Sequence, residues 1–222
     1  MQKFTFLILL LMLFLSQVVA QKSFKVKDYV PNKIGYKWQF KNNVKDGMSP
    51  IIVTNAEKFM FGSIETTKRT ENNGDYRLQS ITNRGLEIYQ LYFVGNRFIE
   101  YENSVVLFPA KLKIGEVHKT QTRYKTTVNG ELKEHGTQTY EVKAERVEDV
   151  TTSFGKSSNC LIIRTIALRI DESGSQKGYE LEEWYAKGVG TVKVIGILFW
   201  KNNKGETTRT FRVDAELEKM TK

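Results

Sequence analysis

Cysteine is nearly absent from this chain. Cys160 stands alone among 222 residues, so no intramolecular disulfide can staple the fold. That excludes the disulfide-framed scaffolds common among small secreted domains. Stability must come from burial, and a chain of this length can remove roughly 70% of its surface from water. Histidine is as scarce. His118 and His135 are the two in the chain, and neither belongs to a His-Glu-x-x-His run. With one cysteine besides, no metal-ligating set emerges from the spacing. Cys160 sits between Asn159 and the apolar Leu161-Ile162-Ile163. That context predicts a buried small hydrophobe rather than a nucleophile. Proline numbers three, and no low-complexity linker divides the chain.

Other catalytic signatures are missing too. Gly155-Lys156-Ser157 ends like a phosphate loop, but Val150 stands where that loop needs its first glycine. No Gly-x-Ser-x-Gly elbow occurs. Glu180, Glu182 and Glu183 are close in sequence, yet no second acidic cluster offers a partner for paired-carboxylate chemistry. The expectation is a protein without catalytic residues, metal or cofactor. The formal charge is +9. No run of five like charges concentrates it, so a solvated basic surface is expected rather than a nucleic-acid site. Contact with an anionic membrane surface stays open.

What is present begins with an export signal. Lys3 precedes an apolar run over residues 4–15, interrupted by Thr5, and Val18 and Ala20 supply a cleavage site. The run is too short to cross ~30 Å of hydrocarbon comfortably. Residues 1–20 are therefore read as a cleaved signal peptide and residues 21–222 as a single exported domain. Gln21 follows the site where a lipoprotein would carry cysteine, so a lipid anchor is not expected. Few cysteines and no Asn-x-Ser/Thr acceptor fit a bacterial periplasm or outer surface.

The domain reads as all-β. Turn signals recur about every ten residues: Asn72-Asn73-Gly74, Asn83-Arg84-Gly85, Gly95-Asn96, Asn129-Gly130, Ser173-Gly174 and Asn202-Asn203-Lys204-Gly205. Phe211, Val213, Ala215 and Leu217 alternate with Arg212, Asp214 and Glu216, the period of a half-buried strand. Residues 160–170 are more continuously apolar and should form a central strand. Residues 120–128 are more polar and read as a solvated or edge strand. A short helix fits residues 45–58 or the start of the exported part. Residues 179–200 carry two apolar runs around Lys187-Gly188-Val189-Gly190, a hairpin whose glycines can take positive φ. The fold class is an antiparallel meander forming a curved sheet, half-barrel or sandwich.

Three runs then occur in order. They are Pro31-x-Lys33-x-Gly35-x-x-Trp38, Phe154-Gly155-x-x-x-Asn159-Cys160-Leu161, and Glu183-Trp184-Tyr185-Ala186-Lys187-Gly188-Val189-Gly190-x-Val192-Lys193. Their order resembles that of a poorly characterised family of exported bacterial β-rich proteins, termed TapB-like and common in Bacteroidetes. That family is similar in shape to half-barrel lipoprotein carriers of the LolA/LolB type. The resemblance implies an open, concave β-surface and carries no catalytic residues.

Aromatic residues bear on function. In a closed sandwich they would fill the core; in a half-barrel some would line a concave pocket. Trp38, Trp184, Tyr185 and Trp200 are the candidate ligand-binding residues. Trp184 shares a strand face with Glu182, and Tyr185 with Leu181 and Glu183, so one of the pair can line the concavity. The expected function is non-enzymatic binding of an apolar or lipid-like ligand. The alternatives are an assembly protein binding an envelope partner, and a cell-wall hydrolase.

Overall fold

The structure, a computed structural model, describes residues 23–44 and 50–222. The signal at residues 1–20 and the Gln21 terminus lie outside the described residues. A short strand and one helical turn come first, β1 (Ser23–Lys25) and α1 (Val26–Tyr29). Then follow β2 (Lys37–Asn42), β3 (Ile51–Phe61), β4 (Ile64–Glu71), β5 (Tyr76–Ile81), β6 (Gly85–Phe93), β7 (Arg97–Pro109) and β8 (Lys111–Lys113). The rest are β9 (Val117–Val128), β10 (Glu131–Thr152), β11 (Gly155–Asp171), β12 (Gln176–Ala186), β13 (Gly190–Lys201) and β14 (Thr207–Thr221).

All strands but β1 and β8 join one antiparallel sheet that closes into a barrel. The all-β antiparallel meander is thus the fold. Of the shapes open to it, the sheet takes none of the intermediate ones and curls through to closure. Right-handed twist accumulated over a dozen strands brings β14 back beside β2. β9 was expected to be solvated or an edge. It is hydrogen-bonded on both sides, with Tyr124 opposite Tyr101 of β7 and Gly136 of β10. Its lysines and arginine point outward and gave it the look of an edge, while Thr122, Tyr124 and Thr126 are buried. Of the residues 45–58 where a helix was allowed, 45–49 lie outside the described residues and 51–58 belong to β3; the helical turn sits near the start of the described chain.

Period-two alternation sorts the wall. The outer face of β7 and β9 to β12 is charged and paired across strands, as in Lys119–Glu141, Lys125–Glu100 and Arg146–Glu182. The inner face carries the apolar residues. This is the pattern of a water-facing barrel and the reverse of a lipid-facing one.

One end of the barrel is closed by the first described residues. β1 pairs with β8, and Val26 N–H donates to the Ala110 carbonyl at 3.1 Å. Phe24, Val26, Tyr29 and Val30 pack there with Phe108, Leu112 and Leu161. The β12–β13 loop holds this plug: Gly188 N–H donates to the Asp28 carbonyl at 2.7 Å. Gly188 and Gly190 take φ of +73° and +98°, as the hairpin reading requires. A second cluster of Ile99, Val105, Tyr124 and Tyr140 fills part of the interior. Cys160 is buried in β11, and burial pushes its thiol up to about 11, which keeps it protonated and inert.

Candidate functional site

The interior is not filled. A cavity of about 440 Å³ lies between the β2–β6 wall and the β10–β14 wall. Its aliphatic lining includes Ile51, Val53, Ile88, Leu91 and Leu181, and its aromatic lining includes Phe40, Tyr140 and Tyr179. Exposed Glu71, with Asp75, Tyr76 and Tyr92, forms its outer edge at the β4–β5 turn.

β12 contributes a full face to this space. Tyr179, Leu181, Glu183 and Tyr185 all line it, two residues apart, as strand geometry demands. Tyr185 is therefore the member of the adjacent aromatic pair that faces the cavity. Its hydroxyl donates to Glu183 at 3.2 Å, and burial raises the phenol well above its usual range. Trp184 faces the other way. It is 5% exposed, and its indole N–H donates to Glu148 at 2.7 Å, with Lys193 5.3 Å over the ring. Trp38 is 1% exposed and lies just below the main cavity, where its indole N–H donates to the Val189 carbonyl at 2.7 Å. Trp200 does not line the cavity. Register places it between Lys177 and Arg209, and its ring meets Phe211 edge-on at 5.7 Å.

The polar part of the lining went unnoticed in the sequence. Arg69 of β4 and Arg77 of β5 stand directly opposite each other and both line the cavity. Among the described residues neither has a carboxylate within ion-pair distance. Arg77 Nε donates to Gln79 at 2.8 Å, and Arg69 stacks its guanidinium 4.6 Å over the Trp38 ring. Both keep part of their surface open to the lumen. Burial and then the cation of Arg77 pull Arg69 down to about 9, so it is still charged at neutral pH. Glu183 faces the same space. Burial raises its carboxyl above the usual range, outweighing Arg77, Tyr185, Thr165 and Arg69, which act to lower it. The lumen is thus an apolar chamber with one cationic pair set in its wall.

No known family's sequence profile matches the chain, and no curated protein does. Among solved structures, a candidate lipoprotein from Parabacteroides distasonis aligns over 86% of this chain and 97% of its own, with 17% identity and a TM-score of 0.48. The hypothetical lipoprotein YmcC from Escherichia coli covers 85% of this chain and 88% of its own, with 8% identity and a TM-score of 0.45. A candidate exported protein with a YmcC-like fold from Bacteroides fragilis covers 87% and 99%, with 13% identity and a TM-score of 0.36. None of the three is described as TapB-like or LolA/LolB-like. Two are called lipoproteins, which lends nothing to the expectation of an unanchored chain. Likeness at this distance carries no function across.

Proposed function

We propose that this is an exported, non-enzymatic binding protein that holds an apolar or lipid-like molecule inside its barrel. One observation carries the reading. A barrel with a charged exterior keeps an interior space of about 440 Å³, lined mainly by aliphatic and aromatic side chains. Ligand pockets begin at ~300 Å³ and are mostly apolar with a few placed polar groups. Leaving such a space unfilled forfeits packing contacts along its whole lining. An apolar guest restores them and leaves water at the same time.

Native mass spectrometry of protein purified from its own envelope, before and after solvent extraction, tests the reading. An extractable adduct supports it. Protein that arrives free of ligand and binds no hydrophobic probe refutes it.

A further inference from the structure

The cationic pair in the lumen is costly as it stands. Like charges directly opposite on neighbouring strands repel. Here they do so inside a barrel, where screening by water and salt is weak. A guanidinium carries five N–H donors and is expected to use them when removed from water. Among the described residues, the Arg69 side chain donates to no acceptor and rests on Trp38, while Arg77 engages Gln79 alone. Stacking and one amide hold the two groups in place without using most of their donors. The backbone fixes them as well, since Arg69 and Arg77 are cross-strand partners in a two-strand ladder closed by the 72–75 turn.

Three carboxyl groups bear on what an anion would meet: Glu183, Glu71 and Asp75 all line the cavity, and Asp75 accepts from the Asn73 side chain and the Val94 N–H. Burial raises the Glu183 carboxyl above its usual range, which weakens its competition for the arginines. The Tyr185 hydroxyl lies on the same lining with its proton given to Glu183.

Resting on the reading of the lumen as a ligand site, we propose that Arg69 and Arg77 receive the anionic head of the guest, a single-chain amphiphile ending in a carboxylate. Two planar forks side by side match the two oxygens of a carboxylate. The aliphatic remainder of the cavity takes the chain. At about 440 Å³ the space lies near the low end for ligand pockets and suits one chain rather than a two-chain lipid.

The test uses the full exported chain after delipidation. A fluorescent polyene fatty acid is the probe, displaced in parallel by a saturated fatty acid and by its methyl ester. The acid should bind about tenfold more tightly than the ester at pH 7, the size of a charge-assisted contact. Arg69→Gln and Arg77→Gln should each shrink that preference while leaving ester affinity within about twofold. Arg77→Lys should retain more of it than Arg77→Gln. Equal affinity for acid and ester in the unmodified protein overturns the headgroup assignment and leaves the lumen reading standing. Failure of probe, acid and ester alike sinks both. Displacement by millimolar inorganic phosphate as effective as by the fatty acid identifies a small-anion site and refutes the amphiphile.

Discussion

Gly188 and Gly190 share one loop and one kind of backbone, but their surroundings differ. Both have positive φ, +73° and +98°. A valine at either should therefore meet a similar backbone cost, about 1–3 kcal/mol. A Cβ on Gly188 would meet nothing within 4 Å. A Cβ on Gly190 would lie 3.3 Å from Pro31 Cδ and 3.6 Å from Trp38 Nε1, and the valine methyls would reach further. Those neighbours are not free to yield. Trp38 is held by Val189, and the segment before Pro31 is the barrel's plug. Overpacking of this kind adds about 1–3 kcal/mol. Gly190→Val should thus fall below Gly188→Val by that second amount, a difference of about 2–12 °C in melting midpoint for a chain this size. Paired thermal melts followed by far-UV circular dichroism measure it. Equal midpoints for the two variants would show that the loop does not press on the plug, and the argument for its closeness would fail.

Two further outcomes follow from the same geometry. Glu183 has a carboxyl raised by burial, so its neutral form favours the folded state, and that contribution is lost as pH rises from the ordinary carboxylate range through the raised value. Glu183→Gln should flatten this fall in denaturant titrations, gaining on the unmodified protein as pH rises from 4.5 towards neutrality; curves that stay parallel would contradict the burial argument. Trp184→Phe removes the N–H that donates to Glu148 and should cost about 1 kcal/mol while leaving ligand retention intact. Loss of ligand in that variant would mean the outer face of β12 matters to the site.

The strands were legible because their chemistry is local. Asn129-Gly130 turns with φ of +53° and +83°, as the dipeptide announces. The alternation set Leu181, Glu183 and Tyr185 on one face of their strand and Trp184 on the other, and the structure alone shows that the Tyr185 face meets the cavity. Closure was not legible, because it depends on residues far apart in sequence, such as Lys41 and Glu216, meeting across the β2–β14 seam. The arginine pair was missed for a related reason. Residues 64–77 look like a solvated, polar hairpin, and polar strands are read as outward-facing. Yet the Asn72-Asn73-Gly74 turn is centred between Arg69 and Arg77, so folding the sequence about it sets them side by side. Counting outward from a turn would have found the pair. Its inward orientation needed the third dimension.

The junction of β14 with β2 sets an order of events. It joins Lys37–Asn42 to residues 215–221, nearly the two extremes of the described chain. Most other wall pairs are hairpins that can form as soon as their own residues are available. This one must wait for the last strand. Until β14 arrives the sheet has two free edges and its apolar face lies open to water. A chain threaded through a membrane in order therefore completes its chamber only once β14 has crossed. On the binding role proposed above, a guest would join the open sheet before that moment and be enclosed by β14, or enter afterwards through the edge at Glu71 and Tyr76.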